Sequence, residues 1–157
     1  TVYGPWGRPD MALFLFTDAI INNKPIKIFN NGKMLRDFTY IDDIVNGVVG
    51  VINNVATKDN DFNFLAPNIS SSWAPYRLFN IGNSSPIKLM DFITTIENCL
   101  GKKAIKEFVP MQVGDVEATS ANINLLKAWS GFEPKTSIEE GISKFIEWYT
   151  SYYDIQS

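Results

Sequence analysis

Histidine is absent from all 157 residues. Without an imidazole no Ser-His or Cys-His relay can be assembled, and a soft metal site loses its commonest ligand. Cysteine occurs once, as Cys99, so no internal disulfide can form, which fits a reducing compartment. Cys99 stands in the apolar stretch "LMDFITTIENCLG" and reads as a small core residue, not a nucleophile. A surplus of positive charge is missing too: 14 basic residues face 17 acidic ones, for a net charge of −3 and a pI near 4.9. No basic stripe or like-charge block is visible, which excludes a general nucleic-acid or anionic-membrane binder. There is no apolar run long enough to span a bilayer and no signal-peptide pattern, so a cytoplasmic setting is expected.

What is present is a chain with 45% hydrophobic residues, enough for one buried core. Helix and strand patterns alternate along it. "PDMALFLFTDAIINNK" carries Met11, Phe14, Leu15, Ala19 and Ile20 at helical spacing, with Pro9 suited to the first turn. "PIKIFNNG" alternates apolar and polar residues and runs into a turn. In "RDFTYIDDIVNGVVGVINNV" a short strand precedes a helix capped by Asp42 or Asp43, with Ile44, Val45, Val48, Val49 and Ile52 as its apolar stripe. Residues 54–76 are polar and turn-rich, a long surface excursion. "RLFNIGNSS" predicts a short buried strand and turn. "SPIKLMDFITTIENCLG" predicts an amphipathic helix stopped by Gly101. A strand in "KKAIKEFVPM", a helix over about 122–129 stopped by Gly131, and an aromatic C-terminal helix with Ser137 and Glu140 spaced as a capping box complete the pattern. The expected class is α/β, with a small sheet.

Three stretches could carry chemistry. In "TVYGPWGRPD", Gly4 and Gly7 allow unusual backbone angles and Pro5 and Pro9 stiffen the turn, which could hold Arg8 at a fixed angle. A planar guanidinium suits bidentate capture of a carboxylate or phosphate; the alternative is a loop arginine paired with Asp10. In "IKIFNNGKMLRDFTYIDD", Phe29 and Arg36 could supply a shelf for a base and a cation for phosphates; the alternative is a hairpin with a surface Arg36–Asp37 pair. In "MQVGDVEA", Gly114 could bring the backbone close to a ligand and Asp115 could accept from a ribose diol; the alternative is an ordinary Gly-Asp turn.

Taken together, and in order, "TVYGPWGRPDMALF", "RDFTYIDDIV", "YRLFNIGNSSPIKLMDFI", "MQVGDVEAT" and "IEEGISKFIEWY" resemble the C-terminal half of nucleotide-sugar epimerases of the extended short-chain dehydrogenase/reductase superfamily. The likeness is nearest to the UDP-glucuronate 4-epimerases, enzymes of capsule and envelope sugar supply. It implies a small mixed α/β substrate-binding lobe over residues 1–157, the C-terminal portion of a longer enzyme whose dinucleotide-binding Rossmann portion is largely absent. It further implies that Thr1 contacts the sugar and Val2 the nicotinamide end of NAD. Arg8 is implied to face the sugar carboxylate, Lys27 and Phe29 to line the uracil, Arg36 to bind the diphosphate and Asp115 to hold the ribose hydroxyls. Gln112 stands where related UDP-galactose epimerases carry a second phosphate-binding arginine.

The same resemblance implies an NAD-dependent isomerase acting through a transient 4-keto sugar, with the NAD-binding portion as the missing partner, a UDP-sugar as substrate and a homodimer as the intact form. That chemistry needs a Gly-rich dinucleotide turn and a Tyr-x-x-x-Lys pair. None of the six tyrosines has a lysine four residues on, so this chain alone is expected to be inactive. The other expectations kept open are a different nucleotide-sugar epimerase or 4,6-dehydratase, or a non-catalytic nucleotide-sugar binding domain. Removal from a larger sheet would also bare apolar surface at the first residues and the helix after Pro9, so self-association is expected.

Overall fold

The computed structural model describes residues 1–155. Twelve short elements follow one another, and the strands pair across long sequence distances. Strand β1 (Val2–Tyr3) leads through a loop to helix α1 (Ala12–Ile21), then to β2 (Pro25–Ile28) and a tight turn at Phe29–Gly32. Strands β3 (Leu35–Arg36) and β4 (Thr39–Tyr40) precede helix α2 (Ile41–Asn53). After the irregular segment come β5 (Ile87–Lys88), α3 (Leu89–Leu100), β6 (Ile105–Phe108), α4 (Asn124–Ser130) and α5 (Ile138–Tyr152). The architecture is mixed α/β: β1 pairs with β4 and β2 with β6, both parallel, while β3 pairs antiparallel with β5.

The core lies between α1, α3, α5 and the inner face of β2. Period-two alternation turns Ile26 and Ile28 inward and leaves Lys27 exposed. Helix α3 contributes Phe92, Ile93 and Ile96, and α5 contributes Ile142, Phe145, Ile146 and Tyr149, all buried. Phe38 stacks on Phe92 with centroids 4.0 Å apart. Each fully buried side chain of this size removes enough apolar surface to be worth about 1.5–3 kcal/mol. Helix ends follow the sequence signals. Gly101 and Gly131 take left-handed angles at the ends of α3 and α4, and the Glu140 N–H donates to Ser137 Oγ at 3.1 Å to open α5.

Several expectations are corrected. Helix α1 begins after Pro9, at Ala12, and its buried stripe is Leu13, Phe16, Thr17 and Ile20, while Leu15 is exposed. No hairpin follows Phe29, because β2 takes its partner from β6, some eighty residues on. "RLFNIGNSS" forms no strand beyond one bridge between Ser71 and Arg77. Neither Asp42 nor Asp43 caps α2. Asp43 is buried and accepts the N–H groups of Lys135 and Thr136 at 3.2 and 3.0 Å, tying α2 to the approach of α5. Val45, Val48, Val49 and Ile52 of α2 are exposed, as is Cys99. A periodic apolar stripe shows that a face is apolar, not that this chain covers it.

Candidate functional site

The hollow that gathers the sequence candidates opens beside the outer face of β2. Its volume is about 210 Å³, and Thr1, Lys27, Phe29, Arg36 and Asp115 line it together with Met11, Ala12, Phe16, Met34, Phe38 and Leu89. Main-chain pairing brings these distant residues together. Thr1 sits against β4, where its N–H donates to Asp37 O at 2.7 Å and its carbonyl accepts the Thr39 N–H at 2.8 Å. Lys27 projects outward from β2, and Phe29 follows where Asn30 and Asn31 turn the chain with left-handed angles that asparagine tolerates.

Arg36 is held on several sides. Its Nη1 donates to the carbonyls of Leu35 and Glu117 at 2.9 and 3.2 Å, and its Nη2 donates to Asp115 Oδ1 at 2.8 Å. Residues 117–119 run along β3, with the Leu35 N–H on Glu117 O and the Thr119 N–H on Leu35 O. That pairing sets Asp115 beside Arg36, 79 positions away in sequence. The Arg36 side chain retains 16% of its accessible surface and Asp115 34%. The pair is therefore partly shielded, and its field reaches the hollow with less screening than a fully exposed pair would have.

The remaining candidates stand apart. Arg8 and Val2 line a smaller neighbouring cavity that shares Thr1, Met11, Ala12 and Phe38 with the hollow. Arg8 itself is exposed and pairs with Asp10, Nε to Oδ1 at 3.0 Å and Nη2 to Oδ2 at 2.5 Å, the alternative that its local sequence offers. Gln112 lines neither cavity; its carbonyl accepts the Asp115 N–H at 3.1 Å and so closes the turn that carries Asp115. Gly114 enables that turn through its positive φ of 85° and makes no close approach. In the opening loop only Gly4 needs its freedom, with φ 141°. Gly7 does not, and Trp6 takes a left-handed angle instead.

A residue missed by sequence reasoning organises the site from beneath. Asp37, expected as a possible surface partner of Arg36, is buried. Its carboxylate accepts the N–H groups of Ser84, Ser85 and Ala121 at 3.1, 3.4 and 3.0 Å, and its own N–H donates to Thr119 Oγ1. It thereby fixes two loops against the strand that bears Arg36. No local signal could reveal this, since every one of those partners lies more than forty positions away.

The groups that line the hollow include two cations, Lys27 and Arg36, the Asp115 carboxylate, the Phe29 ring and the Thr1 hydroxyl. Burial, with Tyr40 and Asp43 nearby, pushes the Tyr3 phenol well above its ordinary range. Burial and Asp18 push Tyr149 to about 12, and burial also raises Tyr40. A phenolic base needs the opposite shift. Among the described residues no cluster of metal-ligating side chains occurs, and no helix is long and apolar enough to cross a membrane.

Residues 1–64 match the NAD dependent epimerase/dehydratase family. Protein CapI of Staphylococcus aureus is 49% identical over 98% of this chain and 46% of its own length. A probable UDP-glucuronate 4-epimerase of Rhizobium meliloti is 48% identical over 98% of this chain and 45% of its own length. Among solved structures, the UDP-glucuronic acid 4-epimerase of Bacillus cereus, in complex with UDP-glucuronic acid and NAD, matches with a TM-score of 0.78 at 29% identity. That match covers 98% of this chain and 44% of the other. The chain thus spans somewhat under half the length of the curated relatives it matches.

Proposed function

We propose that this chain is the C-terminal, substrate-binding portion of an NAD-dependent UDP-glucuronate 4-epimerase, the class of protein that it resembles from end to end. The observation that carries the reading is convergence: Thr1, Lys27, Phe29, Arg36 and Asp115, drawn from three separate stretches of sequence, line one hollow. In this reading Arg36 meets the diphosphate, Phe29 and Lys27 the uracil, Asp115 the ribose diol and Thr1 the sugar. Arg8, beside the adjoining cavity, takes the sugar carboxylate after leaving Asp10, an exchange made easier because exposed ion pairs are weak.

The sequence has no G-x-x-G-x-x-G turn to seat the NAD pyrophosphate on a helix N-terminus, and helix α2 opens with Asp42 and Asp43, whose charge repels an anion there. The chain's share of the cofactor is accordingly a contact from Val2 to its nicotinamide end, and the rest is held by a portion outside this chain. The whole enzyme interconverts UDP-glucuronate and UDP-galacturonate through a transient 4-keto sugar and works as a homodimer. These 157 residues bind and orient the substrate, and alone they turn over none. Assay of the purified chain with UDP-glucuronate and NAD is expected to give no product, and turnover would refute this.

Calorimetric titration of UDP, UDP-glucuronate and UDP-galactose into the full-length gene product tests the assignments. Arg36→Ala is expected to weaken all three by about tenfold or more, as loss of a charge-assisted contact does. Arg8→Ala is expected to weaken only the uronate. Equal losses at both positions, or none, would overturn the reading.

A further inference from the structure

We infer that Asp115 holds two partners in turn: the Arg36 guanidinium without ligand, and a ribose diol once a nucleoside diphosphate has taken its place on Arg36. The inference rests on the reading of the hollow as a nucleotide-sugar site and adds a step to it, because the two groups that would grip the ligand grip each other first.

The bond inventory of Arg36 carries the point. Each terminal nitrogen has two N–H bonds to give. On Nη1 both are taken, by Leu35 O and Glu117 O; on Nη2 one goes to Asp115 Oδ1 and the other points to Met34 Sδ at 3.9 Å, a weak acceptor. The fifth donor, Nε–H, has no hydrogen-bond partner among the described residues. A diphosphate seated on Nε and the Met34-facing side of Nη2 would lie close to the Asp115 carboxylate, where two anions repel. That repulsion favours Asp115 giving way to the diphosphate. The displaced carboxylate then needs new donors, and its Oδ1 keeps only the Val116 N–H at 2.8 Å. A vicinal diol supplies two hydroxyl donors, whereas bare pyrophosphate supplies none.

The main chain makes the exchange cheap. Leu35 and Glu117 hold the guanidinium through backbone carbonyls, and residues 117–119 are bonded along β3. Only the Asp115 side chain has to rotate, with Arg36 already in place. The design discriminates as well: an anion without a diol must either lie against the Asp115 carboxylate or break the Arg36–Asp115 pair with nothing to offer the freed acid, so simple phosphates are disfavoured against nucleotides.

The variant Asp115→Asn keeps the shape and removes the charge. In calorimetry on the full-length gene product, inorganic pyrophosphate is expected to bind the variant about two- to fivefold more tightly than wild type, the range a partly exposed ion pair supports. UDP is expected to gain less or to weaken, since it loses the acceptor for its diol. Asp115→Ser, read the same way, guards against a folding effect peculiar to one substitution. Pyrophosphate affinity that is unchanged, lower or unmeasurable in both variants, while UDP still binds wild type, overturns the exchange and leaves the site reading intact. Failure of UDP to bind wild type overturns both.

Discussion

Gly141 shows how one missing side chain can position a strand. It lies inside α5, where nothing about its backbone requires glycine, yet a Cβ there would overlap the Tyr3 hydroxyl oxygen. The Tyr3 ring packs edge-on against Phe38 and Tyr40, so it cannot yield without disturbing β1 and the adjoining Thr1. Gly141→Ala is therefore expected to cost about 1–3 kcal/mol by overpacking, although alanine is the better helix former. Urea unfolding checks this, and an unchanged midpoint would contradict the packing described. Arg36, Asp115 and Asp37 make the complementary point. Each was visible in the sequence as a charged residue beside a turn, but which acid pairs with which base was not. Asp37, adjacent to Arg36 in sequence, lies inside because the N–H groups of Ser84, Ser85 and Ala121 receive its carboxylate there, and Asp115 takes the surface role.

At the scale of elements, the joint between α3 and β6 rests on a buried acid. Glu97 accepts from Lys106 and Lys103 and from the Ala104 N–H. Burial alone would raise its pKa, but the hydrogen bonds of Lys106, Ala104 and Lys103 outweigh that cost and bring it to about 2. A folded-state pKa below the unfolded value means that the stabilisation is complete above the unfolded value near 4.5 and is lost as pH falls toward about 2. Denaturation midpoints measured between pH 6 and pH 3 are thus expected to fall for the wild type, and to fall less for Glu97→Gln, which starts from a lower stability at pH 6. A steeper acid loss in the variant would contradict the assignment. Elements with caps were the most legible ones: α3, α4 and α5 end or begin where Gly101, Gly131 and Ser137 place them. The strands were least legible, because two to four residues carry too little pattern and their partners are remote.

For the whole molecule, the distribution of apolar surface matters most. The expectation of bared surface at the chain start holds for Val2 and Trp6, but α1 is mostly covered. The larger exposed face belongs to α2, through Val45, Val48, Val49 and Ile52. A contiguous apolar face of this kind drives association. Light scattering of the 157-residue chain is expected to show mass rising with concentration, and Val48→Lys with Ile52→Lys to reduce the rise while leaving the circular dichroism unchanged. Monomeric wild type at high concentration would contradict this.

What the sequence determined by itself was local: helix periods, the glycines and the serine that bound the helices, the absence of imidazole chemistry, and, through five ordered segments, a likeness that named the candidate residues. What only the tertiary structure decided was partnership. Lys27, Arg36 and Asp115 line one hollow because parallel pairing joins residues about eighty positions apart, Arg8 lies beside it on Asp10, and the α2 stripe faces outward. The physical reason is that propensity and capping act over a few residues, whereas strand pairing, burial and ion-pair choice depend on which distant surfaces meet.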